Sequence, residues 1–392
     1  MISVKTMRAV DRFAGIPLCW ISGIVTRILP GRPRRVEPES ILVMKFFGIG
    51  SILLSTPFLT ALREGFPKSR ITFITFEKNA EMANRLPQFD QQIIISTRSF
   101  TSFFKTLIEA FNALRKLQPD VVFDLEFFSK FSTLLSTVSG APMRIGFELP
   151  TLWRYLNITH SVPIDHSVHV TRLFLHQLTP LGIHTEETSV TRLIPTPDET
   201  KSLLKTLNIG SDGETIVINL NAGTTSLDRR WPAQRFIELV RALAEEDSAR
   251  RFYFIGQTDE REYVALAISG LTDLASRVVN CAGMLSFCEL VALLHKASLL
   301  VTNDSGPMHI ASSAGTPVVA LFGPESPQFY GPIGKASVVY KSLPCSPCLS
   351  MYNAKSFVCP YNAKCMQDIS TKEVLAAVRS MLEVGLESRS VA

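Results

Sequence analysis

The densest run of reactive residue types is SLLVTNDSGPMHIASSAGTPVVALFGPE, residues 298–325. An apolar strand that ends at Asn303 hands over to Asp304, Ser305 and Gly306, and Pro307 suits a first helical turn, where its missing N–H costs nothing. Ser305 can cap that helix and Gly306 lets a ligand come close to the backbone. The open N–H groups and the helix dipole then make an anion site of the kind that holds a diphosphate. His309 falls in the same first turn and faces the same place. A well-capped turn with no ligand would need neither Asp304 nor His309.

A second run, NLNAGTTSLDRRWPAQRF at 219–236, also leaves an apolar strand. Gly223, Thr224 and Thr225 offer backbone and hydroxyl donors, and Arg229 and Arg230 supply the positive charge that eases departure of a diphosphate without a metal. Trp231 and Pro232 begin and anchor the next helix. After the strand RFYFIG, Glu260 can accept from ribose hydroxyls or simply sit at a solvated helix start. In the first half, Asp124 and Glu126 lie in the strand-end segment FDLEF, where Asp124 is either a proton acceptor or a structural residue. Lys130, Arg144, His166 and His169 are candidates for an anionic acceptor, against ordinary surface charge or packing.

These residues need two α/β scaffolds. From Ser40 onward, short β-branched runs (ILVMKFF, RITFITFE, VVFDLEF) alternate with helical stretches, which is the pattern of βαβ units around a parallel sheet covered on both faces. After the connector TRLIPTPDET (191–200) the alternation restarts with TIVINL, RFYFIG, RVVNC, SLLVTN and PVVALFG. The expected fold class is α/β, with two Rossmann-like doubly wound domains facing one another across a cleft lined by strand-to-helix loops. The first domain is expected over 36–190 and the second over 200–370, followed by a helix and tail at 371–392; the family resemblance set out below implies that the first binds the acceptor and the second the nucleotide sugar.

The formal charge of +5 is uneven. Residues 1–35 hold Lys5, Arg8, Arg12, Arg27, Arg32, Arg34 and Arg35 against Asp11, so 7 − 1 = +6, and the rest sums to 5 − 6 = −1. That excess flanks the uncharged stretch Phe13 to Thr26, which is shorter than the roughly 20 residues of a bilayer span. As a helix it puts Trp20, Ile21, Ile24, Val25 and Ile28 on one side, as for a segment lying in the headgroup plane; the other reading packs it on its own domain. No small-residue cleavage site follows, which argues against a secretory signal. Nucleic acid is not an expected partner, because the charge is not spread over a folded face.

Seven cysteines fit a reducing compartment. Cys345, Cys348, Cys359 and Cys365, in the segment 345–365, have a C-x2-C-x10-C-x5-C spacing compatible with a small structural thiolate site or with disulfides. Four thiolates would leave no open position for a catalytic metal, and no catalytic metal or cofactor is expected.

NDSGPMHIA with AGTPVVALFGP, the GTTSLDRRWP loop, MKFFGIGSILLSTPFLTALR and SGAPMRIGF, in order between about 40 and 370, make the chain similar to glycosyltransferase family 9, the ADP-heptose:lipopolysaccharide heptosyltransferases. The resemblance implies a GT-B fold and inverting, metal-independent transfer from a nucleotide diphosphate sugar, with ADP-heptose as donor, to a lipid-linked saccharide acceptor of the lipopolysaccharide core or a related glycolipid. The enzyme would then be cytoplasmic and peripheral on the inner face of the membrane, touching it through residues 1–35. By position, Asp304, Ser305, Gly306 and His309 would meet the diphosphate and sugar, Thr224, Thr225 and Arg229 the phosphates, Glu260 the ribose and Met284 the adenine.

One position departs from the family pattern. Ser51 follows Gly50 where the family usually carries an Asp that serves as general base. An alcohol needs a base of its own, whereas a carboxylate is ionised at neutral pH. Either another group such as Asp124 or Glu126 takes over, or the acceptor and the chemistry differ; a non-catalytic nucleotide-sugar-binding homologue and a nucleotide-sugar epimerase on the same fold are the alternative readings.

Overall fold

The computed structural model describes residues 11, 13–28, 32–148, 153–207, 213–223, 226–353 and 357–390. Lys5, Arg8 and Arg12 of the basic segment, and Thr224 and Thr225 of the second loop, lie outside the described residues. The chain divides into two compact units, Met1–Thr188 and Ser189–Ala392. The second begins nearer 190 than 200, and the first takes in the N-terminal basic segment.

The first unit is wound on a parallel sheet of β1 (Ser40–Met44), β2 (Arg70–Phe76), β3 (Gln91–Ile95), β4 (Val121–Asp124), β5 (Met143–Phe147) and β6 (His160–Val162), in the order β3-β2-β1-β4-β5-β6. The second repeats that winding with β7 (Thr215–Asn219), β8 (Arg251–Phe254), β9 (Val278–Asn280), β10 (Leu299–Asn303), β11 (Val318–Phe322) and β12 (Ala336–Tyr340), in the order β12-β11-β10-β7-β8-β9. In each sheet the strand order reverses where the first and fourth strands pair, β1 with β4 and β7 with β10. Ligands of open α/β sheets bind outside the carboxyl ends of the strands at that switch point. The central strands are buried along nearly their whole length because helices cover both faces.

β3, β6, β9 and β12 are the edge strands and only partly buried, so they lack the fully buried apolar run of the inner strands. β5 is an inner strand, and it lies inside the SGAPMRIGF segment.

Helix Gly15–Ile28 buries only a narrow stripe of Gly15, Cys19 and Gly23. The small residues allow close approach: a Cβ at Gly15 would stand 2.7 Å from Lys130 Cβ, and one at Gly23 would stand 2.5 Å from Leu156 Cβ. Asn157 Nδ2 donates to Cys19 O at 2.9 Å and closes the contact. The helix therefore packs on its own unit and still exposes Leu18, Ile21, Ile24, Val25 and Ile28. No helix among the described residues is long and apolar enough to cross a membrane. At the other end, helix Thr371–Ser390 buries Val374, Val378, Met381 and Leu382 in the core that holds Trp231 and Phe236.

Candidate active site

In the second unit the switch point is built by asparagines. Asn219, at the end of β7, donates through Nδ2 to Ser305 Oγ at 2.8 Å and Thr302 Oγ1 at 3.0 Å. Asn303, at the end of β10, donates to Leu220 O at 2.9 Å and accepts from Trp231 N at 2.9 Å. These bonds tie the loop after β7 to the loop after β10. Sequence reading passed over both residues, because a strand-end amide shows its purpose only once the two strands are known to be neighbours.

Helix Gly306–Ala314 starts at that junction. Ser305 occupies its N-cap position, but its hydroxyl does not cap the helix as expected; it donates to Asn303 O at 3.1 Å and takes the Asn219 amide. The helix start thus keeps backbone donors that a cap would have used. A Cβ built on Gly306 meets nothing within 4 Å, so there is open space at the first turn. His309 is buried in the same turn.

Arg229 reaches the helix start from the other loop. Its Nη1 is 3.2 Å from both Asp304 Oδ2 and Asp304 O, and its Nη2 donates to Ala222 O at 2.5 Å. Burial pushes the Asp304 carboxyl up, and the Arg229 guanidinium beside it pulls the other way. Arg230 turns elsewhere: its guanidinium lies 4.4 Å from the centre of the Tyr263 ring and 3.9 Å from Glu260 Oε1. Only one of the two adjacent arginines therefore joins the Asp304 site.

Glu260 and Met284 lie on the loops after β8 and β9. Those loops touch at Gly283, whose φ is +70° and where a Cβ would stand 2.8 Å from Thr258 Cα. Glu260 Oε2 accepts from Gln257 N at 2.8 Å and closes its own short turn, so half of the carboxylate expected at a ribose is spent locally. Met284 remains partly exposed.

Glu325 went unremarked in the sequence. It lies in the loop after β11, is nearly buried, and faces Asp304 and Arg229; burial, followed by the charge of Asp304, pushes its carboxyl up to about 8.

At the switch point of the first unit, Glu126 Oε1 accepts from Phe46 N at 2.6 Å and Phe47 N at 3.0 Å, and Lys45 Nζ lies 3.1 Å away. The Phe127 and Phe174 rings flank that ammonium at 6.0 Å each. Glu126 therefore holds the loop that leads through Gly48, at φ +81°, into helix Ile49–Leu54 and Ser51. Lys45 was another residue not singled out from sequence.

Asp124 requires a correction. Only 2% exposed, it forms a buried ion pair with Arg154, accepts from Ser132 Oγ at 2.8 Å and from Glu126 N at 3.1 Å. Arg154 donates on to Glu126 O and Phe127 O at 2.7 Å each. A carboxylate enclosed in this way orders the loop, which is the structural reading of Asp124. Arg144 is corrected too: it lies near the start of β5, at the end of the sheet away from the switch-point loops, and donates to Ala141 O and Asn157 O at 2.6 Å each. Lys130 stands beside Asp11 at 3.5 Å, close against Gly15, and so anchors the N-terminal helix. His169 caps helix Val170–His176 by accepting from Thr171 N at 3.3 Å, and His166 is exposed.

All seven cysteines are free thiols. Cys345, Cys348 and Cys359 lie close enough to raise the Cys348 thiol, after burial, through their mutual charge. Among the described residues no group of three or more His, Cys, Asp or Glu is arranged to hold a metal ion. What the segment does visibly is brace a loop, since Cys348 N and Leu349 N both donate to Pro324 O at 2.8 Å.

The model of glycosyltransferase family 9 (heptosyltransferase) matches residues 108–357. A curated relative, lipopolysaccharide heptosyltransferase 3 of Escherichia coli K12, is 26% identical over 290 residues, 72% of this chain and 82% of the relative. Among solved structures, a glycosyl transferase family 9 protein of Veillonella parvula superposes with a TM-score of 0.73 at 24% identity, covering 88% of this chain and 98% of that one. E. coli ADP-heptose lps heptosyltransferase II gives 0.70 at 21%, with 88% and 98% covered. The fold is GT-B.

Proposed function

Because the chain belongs to glycosyltransferase family 9 (heptosyltransferase), we propose that it is an inverting, metal-independent transferase that moves heptose from ADP-heptose to a lipopolysaccharide core or related envelope glycolipid. The observation that carries the reading is the Arg229–Asp304 pair beside the open first turn of helix Gly306–Ala314. A helix start and a guanidinium are the two devices that stabilise a departing diphosphate without a cation of its own. Thr224 and Thr225 complete the phosphate contacts, while Met284 and Glu260 meet the nucleoside.

On the acceptor side the base is Glu126. Its three donors all engage Oε1, which leaves the second oxygen for a sugar hydroxyl. The hydroxyl oxygen attacks the anomeric carbon, the carbon–oxygen bond to the diphosphate breaks, and the proton passes to the carboxylate. Ser51, on the loop that Glu126 holds, contacts the acceptor without acting as the base. The Glu126→Gln variant keeps an acceptor for the Phe46 and Phe47 amides, so it should lower transfer about 100-fold and leave ADP affinity within about twofold. Transfer at the wild-type rate would reject Glu126. Wild-type protein that binds ADP but turns over no lipid-linked acceptor would select the non-catalytic reading that Ser51 invites.

Membrane contact through residues 1–35 is part of the same proposal and is supported by the exposed ridge of Leu18, Ile21, Ile24, Val25 and Ile28, with the exposed Arg27 on the same helix. Burying one such side chain in the interface yields roughly 1.5–3 kcal/mol. Ile21→Glu with Ile24→Glu should therefore cut co-sedimentation with anionic vesicles at least about tenfold, with melting unchanged. Equal sedimentation of wild type and variant would remove the membrane assignment.

A further inference from the structure

We propose that Glu325 keeps its proton in the free enzyme and donates it as a hydrogen bond to an oxygen of the bound nucleoside diphosphate, which makes it a donor-binding residue. The inference rests on the donor-site reading above. It starts from the position of the loop that carries Glu325. Asp304 N donates to Leu321 O at 3.1 Å, so the chain leaving β11 runs beside the start of helix Gly306–Ala314. That loop is fixed from behind: Pro324 O accepts from Cys348 N and Leu349 N, and Ser346 Oγ donates to Gly323 O. Gly323 itself leaves no room, since a Cβ there would stand 2.4 Å from Met366 Sδ. On its other side Ser326 Oγ accepts from Phe329 N at 3.3 Å and begins the short turn Pro327–Tyr330. Glu325 is 8% exposed.

Ser326 N donates to Glu325 Oε1 at 3.3 Å, a modest pull toward the carboxylate, and the charged or titratable groups that face it are Asp304, Arg229 and the hydroxyl of Tyr330. One guanidinium thus serves two buried carboxyls, and it donates to Asp304 and to Ala222 O. Ionising both carboxyls would leave a net negative charge in the low-dielectric region that a diphosphate must enter. With burial and Asp304 holding the Glu325 carboxyl up to about 8, the second carboxyl is neutral at neutral pH and presents an O–H. A neutral acid is the form that an incoming anion can accept from, whereas the carboxylate would repel it.

The sign of the pH effect follows. Donor affinity is full below the folded-state value and is lost above it, by about tenfold per pH unit if only the protonated form binds. The ligand confuses this little, because a terminal phosphate completes its second ionisation near pH 6. Titration calorimetry of the full-length protein with ADP from pH 7.5 to 9.5 tests it, with UDP and GDP as alternates. The wild type should weaken about fivefold between pH 8 and 9 and about tenfold per unit beyond that. Glu325→Gln, isosteric and a permanent donor, should bind at pH 7.5 within about threefold of wild type and stay flat to pH 9.5, and Glu325→Ala should be flat too but bind about tenfold more weakly than Glu325→Gln at every pH. A flat wild-type profile overturns the proposal, as does a Glu325→Gln variant that follows the wild-type decline. If Arg229→Ala abolishes binding while Glu325→Gln retains the decline, the donor site stands and only the role of Glu325 falls. If the wild type binds none of the three nucleotides at any pH, the donor-site reading fails and takes this inference with it.

Discussion

Arg229→Ala should lose ADP affinity by about 100-fold or more and lower the melting temperature by roughly 10 °C, the largest combined effect expected of any single change in the second unit. Both halves of that expectation come from one contact. Arg229 and Asp304 are nearly buried and 3.2 Å apart, and removal of the guanidinium leaves the carboxylate without a counter-charge in an apolar setting. Breaking a buried pair from one side costs about 3–5 kcal/mol, which in a unit of this size corresponds to a shift of several degrees or more. The binding loss has a different origin, namely the missing cation at the diphosphate.

A second substitution separates the two. In Arg229→Ala with Asp304→Asn the buried charge is gone, so melting should recover by more than half while ADP affinity stays low. Arg229→Lys keeps a charge but not the planar fork that spans Asp304 and Ala222 O, and should fall between wild type and alanine in both measurements. Calorimetry for binding and differential scanning fluorimetry for melting suffice. ADP affinity of Arg229→Ala within threefold of wild type would remove Arg229 from the donor site.

That contact also marks where sequence reading runs out. The central strands of both sheets were legible because each is covered on both faces and therefore nearly continuous in apolar residues, as in Thr215–Asn219 and Leu299–Asn303. Asp304, Ser305 and Gly306 were legible as a strand-to-helix turn because Pro307 marks the first helical turn locally. The partner of Asp304 was not, since Arg229 lies 75 residues away and meets it only through the pairing of β7 with β10. The same holds for Ser305, whose hydroxyl would have capped the helix had Asn219 not been brought within 2.8 Å. Lys45 lies in the run ILVMKFF, read as a strand, Glu325 closes the run that ends PVVALFGPE, and Arg154 lies in a segment that carried no motif. The charge partners that give these three their roles come from distant elements.

Arg154 carries the second large expectation, and it bears on how the acceptor-side loop is held. Arg154→Leu should lower the melting temperature of the first unit by about 10 °C, from the same one-sided loss of about 3–5 kcal/mol at Asp124, a carboxylate only 2% exposed. Burial already pushes the Asp124 carboxyl up, with Arg154 the largest opposing influence, so in the variant Asp124 should retain a proton to higher pH. Stability of the variant should accordingly fall as pH rises through that higher value, the reverse of a salt-bridged carboxylate, whose contribution is lost on acidification. Arg154 also donates to Glu126 O and Phe127 O, so its removal frees the backbone that aims Glu126 at the loop of Phe46 and Phe47. Transfer should drop at least tenfold while ADP affinity is unchanged, because the donor residues belong to the other unit. Adding Asp124→Asn should restore part of the melting temperature and none of the transfer. If Arg154→Leu melts and turns over like wild type, the buried pair does not order this loop, and the placement of Glu126 as base loses its support.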